Sequence, residues 1–149
     1  MIVDEHTFHL AVPVEDVYAF ITVAENMLSL LSQDPALSYT GVEVKPDGGY
    51  RYVVIYNLFR MKIITISETT VLIPNQKLVI DSKGQINGQT IWTLTPDETG
   101  TQVRIHYEYA EPENTLRAVA SMLSNIVVRS TLYEIATNAQ ARIKARPAN

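Results

Sequence analysis

Cysteine is missing from this 149-residue sequence, which excludes disulfides, thiolate metal sites and cysteine nucleophiles. Long apolar runs are missing too. No stretch approaches the ~20 residues that cross a bilayer, so stable membrane insertion is not expected. Basic charge is scarce: 12 Lys and Arg stand against 16 Asp and Glu, a net charge of −4. The one basic cluster, Arg142, Lys144 and Arg146, is accounted for by a helix end whose dipole it complements. Nucleic-acid affinity depends on clustered Lys and Arg, so no nucleic-acid partner is expected. Gly48-Gly49 lacks the Lys-Ser or Lys-Thr that completes a phosphate-binding loop, and no serine stands in a GxSxG context. The three His residues show no HxH or HExxH spacing, so neither a metal nor a cofactor is expected. The opening MIVDEHTFHL holds two acids and no basic region, which is unlike a signal peptide. A cytoplasmic location is the simplest expectation.

What is present suits an ordinary globular chain. Hydrophobic residues make up 46% and charged residues 19%. One domain over residues 1–149, with one core, is expected from this length. The first strand is placed at Ile2 to Val12, because His6, Phe8 and Leu10 alternate with Glu5, Thr7 and His9. Pro13 ends it. Val14, Val17, Tyr18 and Ile21 then form one helical stripe, with Glu15 and Asp16 favouring the positive N-terminus. A second short helix is expected over Glu25 to Leu31, stopped by Asp34-Pro35. Six strands follow, at 38–46, 49–58, 60–73, 77–84, 86–95 and 101–110. Pro46-Asp47-Gly48-Gly49, Pro74-Asn75, Gly84 and Pro96-Asp97-Glu98-Thr99-Gly100 punctuate them. Short connections between consecutive strands imply an antiparallel meander. A long helix from Glu113 to about Arg146 completes the chain, with Pro112 at its start and Pro147 at its close.

Two features are unusual. The stretch YRYVVIYNLFRMKIITI, residues 50–66, reads as a hairpin that is apolar on both faces, whereas an antiparallel hairpin normally shows water one face. In the long helix, Leu116, Val119, Ala120, Leu123 and Val127 share one stripe, and Val128, Leu132, Ile135, Ala139 and Ile143 share another. The stripes lie about 150° apart at 100° per residue. Glu134 aligns with the first stripe if the helix is straight, and is ordinary surface if it kinks near Ser130-Thr131.

The element order resembles the helix-grip fold of the START-related superfamily, which includes polyketide cyclases and dehydrases, lipid-transfer domains and plant hormone receptors. HLAVPVEDVYAFIT is similar to its opening strand and small helix. IWTLTPDETGT and GTQVRIHYEY are similar to its last hairpin and final strand, and ARIKAR to the close of its last helix. The resemblance implies an α+β fold in which a curved seven-stranded antiparallel sheet wraps the long C-terminal helix, with two short helices after the first strand. It also implies an interior cavity for apolar guests. One face of 50–66 would line that cavity, and a partner or the two short helices would cover the other.

Alternation then assigns the cavity walls. Val103, Ile105, Tyr107 and Tyr109 point inward on the last strand, as do Thr90, Trp92 and Leu94 on the strand before. Tyr52, Val54 and Tyr56 point inward from the hairpin, and His6 and Phe8 from the first strand. Ligand contacts are therefore expected from Phe8, Tyr52, Val54, Tyr56, Trp92, Tyr107 and Tyr109, and from Leu116, Ala120, Leu123 and Val127 of the helix. Aromatic area with a few phenol groups suits an amphipathic guest; plain core packing is the bland alternative. His6, Tyr107 and Glu134 are the candidates for acid–base work. A half-buried, strand-bonded His6 is the ordinary expectation, and His9 and His106 are expected in solvent. Glu68 and Asp81 would matter only if both met one pocket.

The leading expectation is a carrier or sensor of a small apolar or amphipathic molecule. One alternative is a polyketide cyclase or dehydrase type of enzyme, which works largely by holding a reactive chain in shape. The other is a noncatalytic homodimeric module with a filled core. The tip Asn57-Leu58-Phe59-Arg60-Met61 would gate the cavity, touch a membrane or form a dimer contact.

Overall fold

Strand β1 (Ile2–Leu10) is followed by two short helices, α1 (Val14–Ile21) and α2 (Ala24–Leu31), and then by β2 (Leu37–Val44), β3 (Tyr50–Leu58), β4 (Met61–Ile73), β5 (Lys77–Gly84), β6 (Gly88–Asp97) and β7 (Gly100–Tyr109). The computed structural model describes residues 2–31, 37–58 and 61–110, apart from the side chains at 2, 4, 29–31, 37, 56, 58 and 61. The expected C-terminal helix, with Leu116, Ala120, Leu123, Val127 and Glu134, lies outside the described residues, as do Phe59 and Arg60 of the hairpin tip.

All seven strands form one antiparallel sheet in the order β1-β7-β6-β5-β4-β3-β2. The six later strands pair with their neighbours in sequence, as short turns dictate. The first strand closes the far side by pairing with the last, Ile2 opposite Tyr109 and Leu10 opposite Thr101. Register shifts between Thr40 and Glu43 and between Thr69 and Val71 mark two bulges, which bend a strand and raise its twist. Gly41, with φ +63°, sits in the first of them.

One face of the sheet carries the core. Leu10, Tyr52, Leu78, Ile80, Trp92, Val103 and Ile105 cluster there with Val17, Phe20 and Ile21 of α1 and Met27 and Leu28 of α2. We call this the inner face. The apolar stripe of α1 is the expected one, and Val14, Val17, Phe20 and Ile21 are buried. Tyr50 pins the helices to the sheet: it is 1% exposed, and its hydroxyl donates to the Ile21 carbonyl at 3.0 Å. Both helices therefore cover the inner face. The expectation that they cover the second face of 50–66 is corrected. Ile64 and Ile66, on that outer face, remain 48% and 38% exposed.

Strand limits also differ, with β2 covering Leu37–Val44 rather than 38–46. β1 stops at Leu10 rather than Val12, because the chain turns there and the Thr101 hydroxyl captures the Val12 carbonyl at 2.8 Å. β6 runs from Gly88 to Asp97 rather than over 86–95. Asn87 closes the preceding turn by accepting from the Gly84 amide and donating to the Gly84 carbonyl. Among the described residues, no helix is long and apolar enough to cross a membrane.

Candidate functional site

Register places side chains on the inner face with little freedom, since successive residues alternate. β4 pairs Tyr52 with Ser67 and Val54 with Thr65, and Ser67 with Ser82 on β5. β5 continues the row to Gly88 on β6, and β6 to Tyr109 on β7. Tyr52, Ser67, Ser82, Gly88 and Tyr109 thus form one transverse row across five strands. Gly88 leaves room for the neighbouring ring: a Cβ there would lie 2.5 Å from Tyr109 Cδ1.

The row is hydrogen-bonded within itself. Ser67 Oγ lies 3.1 Å from Ser82 Oγ. Two residues along β6 from Gly88, Thr90 Oγ1 lies 2.9 Å from the Tyr109 hydroxyl. Tyr107 stacks on Tyr109, with ring centroids 6.1 Å apart. Burial holds the Tyr52 and Tyr109 phenols above their ordinary range, Tyr52 further through Tyr109, so both stay neutral donors at physiological pH. Beside the row, Thr65 is 2% exposed and its Oγ1 has no hydrogen-bond partner among the described residues.

β4 therefore inverts the usual pattern. Its inner positions Thr65, Ser67 and Thr69 are buried hydroxyls, while Ile64 and Ile66 face outward. Hydrophobicity normally sets register. Here the pairings on both sides of β4 set it instead. Such local conflicts are expected at functional or strained sites, which makes this face the candidate site.

This chain matches the model of a family described as polyketide cyclase/dehydrase and lipid transport, over residues 1–140. The chain belongs to that family. A comparison with proteins of curated function finds no match. Solved structures share the family's fold at low identity. Protein CV1439 from Chromobacterium violaceum superposes with a TM-score of 0.67 at 16% identity, covering 91% of this chain and 96% of its own. Protein Ms6760 from Mycobacterium smegmatis gives 0.67 at 15%, covering 94% and 92%. TTHA0849 from Thermus thermophilus gives 0.64 at 16%, covering 99% of both chains.

Within this family fold, the residues expected at the site divide clearly. Tyr52, Val54, Trp92 and Tyr107 are buried on the inner face, and Phe8 and Tyr109 pack partly buried against the same core. Tyr56 holds the register position opposite Ile63, and its side chain lies outside the described ones. His6, half-buried, stands opposite Ile105 on β1. His6 and Tyr107 thus share the inner face of neighbouring strands.

Glu68 and Asp81 do not meet in an inner pocket. They are cross-strand partners, but on the outer face, where Glu68 pairs with Lys45 at 3.1 Å. They cannot serve acid–base work inside. His9 and His106 do face outward, yet they are more than solvated. His9 Nε2 lies 3.0 Å from Asp97. His106 bridges Glu5 at 3.0 Å and Glu108 at 2.9 Å.

Sequence reasoning misses the buried inner-face hydroxyls of Thr65, Ser67 and Ser82. The available signal is the Ile64-Thr65-Ile66-Ser67 alternation of β4, which the adjacent Ile63 and the polar Glu68-Thr69 make ambiguous. Read alone, it does not say whether Ile63 or Ile64 and Ile66 turn inward.

Proposed function

We propose that the inner face of this family fold binds a small apolar or amphipathic molecule and carries it without turning it over. The carrying observation is the composition of that face. Tyr52, Trp92 and Tyr107 supply buried aromatic area, and the hydroxyls of Thr65, Ser67 and Thr90 supply aimed polar points. Apolar walls with few polar groups are the usual make-up of a small-molecule site. The family's description as lipid transport points the same way. Residues 1–149 act as one binding domain in this reading, with the expected stripe of Leu116, Ala120, Leu123 and Val127 as its remaining wall.

Native and denaturing mass spectrometry of freshly purified protein tests this. An apolar molecule carried in the native state and released on denaturation is expected. A native mass equal to one or two bare chains, together with no uptake of a neutral fluorescent probe such as N-phenyl-1-naphthylamine, overturns the reading. Catalysis by His6, Tyr107 and Glu134 would instead require turnover that His6→Ala, Tyr107→Phe or Glu134→Gln removes without unfolding the chain.

A second reading rests on a separate observation. Ile64, Ile66, Val71 and Ile73 leave apolar area exposed on and beside the outer hairpin face, and exposed patches of this kind mark interfaces. We propose that two copies meet there. Light scattering should then give twice the chain mass, and Ile64→Lys should return it to the monomer value.

A further inference from the structure

Between β3 and β7 the described inner face has many hydroxyls and no ionised side chain. Register and alternation put Arg51, Lys62, Lys77, Lys83 and Arg104 on the outer face, with Glu68, Asp81 and Glu108. Lys45, at the sheet's end, is held by Glu68 at 3.1 Å and Asp47 at 3.8 Å. The inner pair Ser67–Ser82 owns two hydroxyl protons but uses only one in the bond between its members. One donor is left over. The unpartnered, buried Thr65 hydroxyl, two residues along the same face of β4, supplies another. Buried polar atoms are normally satisfied, so two spare donors side by side call for an acceptor from outside the described residues.

We infer that the ligand places an uncharged oxygen, carbonyl or hydroxyl, over β4 at Thr65 and Ser67, and that a carboxylate is discriminated against there. The inference rests on the ligand-binding reading above and deepens it. A neutral oxygen accepts from the spare donors at little desolvation cost. An ionised carboxylate loses its hydration and meets no Lys or Arg on the described inner face between β3 and β7, which is costly. Phenols that burial keeps protonated add donors but no compensating charge.

The test uses the whole chain and its single tryptophan, Trp92, which lies on this face. N-phenyl-1-naphthylamine is bound, and 1-decanol, 2-decanone and decanoate compete for it at about pH 8, where the acid is ionised. The alcohol and the ketone are expected to displace the probe at least about tenfold better than decanoate, and Thr65→Val and Ser67→Ala to erase most of that advantage, read in each variant as the ratio of neutral competitor to decanoate so that any change in probe affinity cancels. Decanoate competing equally, or either folded variant keeping the full preference, overturns the inference and leaves the binding reading standing. No probe binding and no Trp92 response to any of the three compounds removes the binding reading itself, and the inference with it.

Discussion

His106 holds two carboxylates at once, and this makes it the residue whose titration is easiest to foresee. Hydrogen bonds to Glu108 and then to Glu5 raise its pKa above the ordinary 6.5. The sign follows from linkage. The stability it contributes is present below the unfolded value near 6.5 and is lost as pH rises through the folded pKa. An NMR titration of the His106 ring should show a midpoint above 6.5, and a midpoint at or below it refutes the pairing. Asp97 works in the opposite sense: the hydrogen bond from His9 lowers its pKa, so its contribution is lost as pH falls through that lowered value. Thr65 carries the sharpest stability prediction. Thr65→Val removes a buried hydroxyl with no described partner and keeps the shape, so the ligand-free protein should gain about 1 kcal/mol in urea unfolding. Ser67→Ala strips the Ser82 hydroxyl of its bond and should cost about 1 kcal/mol. Equal signs for the two variants would contradict the bonding described for this row.

Elements were more legible than faces. The two helices and seven strands occur in the expected order, because Gly, Pro, Asn and Asp punctuate the chain for local reasons. Their limits moved where a side chain closed a turn, as Asn87 does ahead of β6. The β6–β7 turn shows how local and distant constraints meet. Asp97 accepts from the Thr99 amide at 2.9 Å, and Gly100 follows with φ +149°. A Cβ at Gly100 would collide with the Leu10 carbonyl and the backbone of Ala11 and Val12. Gly100→Ala should therefore cost more than about 2 kcal/mol, since backbone on the β1 side cannot yield as a flexible side chain would. Thermal unfolding measures it, and a loss below about 0.5 kcal/mol would mean that the turn relaxes freely.

The whole sheet buries its phenols together. Burial raises the pKa of Tyr50, Tyr52 and Tyr109, with Tyr50 and Tyr52 each raised further by a neighbouring phenol. A folded pKa above the unfolded value near 10 gives stability that is intact below about pH 10 and drains away as the solution becomes more alkaline. Urea midpoints should hold steady up to about pH 10 and then fall. Phenolate absorbance should show these tyrosines ionising only as the fold is lost. Ionisation of every tyrosine near pH ~10 in a still-folded protein would show that the inner face is open to water.

The sequence by itself determined the order of elements, the antiparallel meander, the apolar stripe of α1 and the inward set Val103, Ile105 and Tyr107, because each follows from local turn chemistry or from a periodicity that burial respects. Only the tertiary structure decided which way β4 faces. Ile63 turns in as the rule for apolar side chains asks, but inward Thr65 and Ser67 and outward Ile64 and Ile66 oppose it, and the pairing of Tyr52 with Ser67 and Ser67 with Ser82 overrides that rule. Tertiary structure also decided that Tyr50 reaches Ile21 and that His106 meets Glu5. Such contacts depend on strands brought together across most of the chain, and no local pattern encodes distance in space.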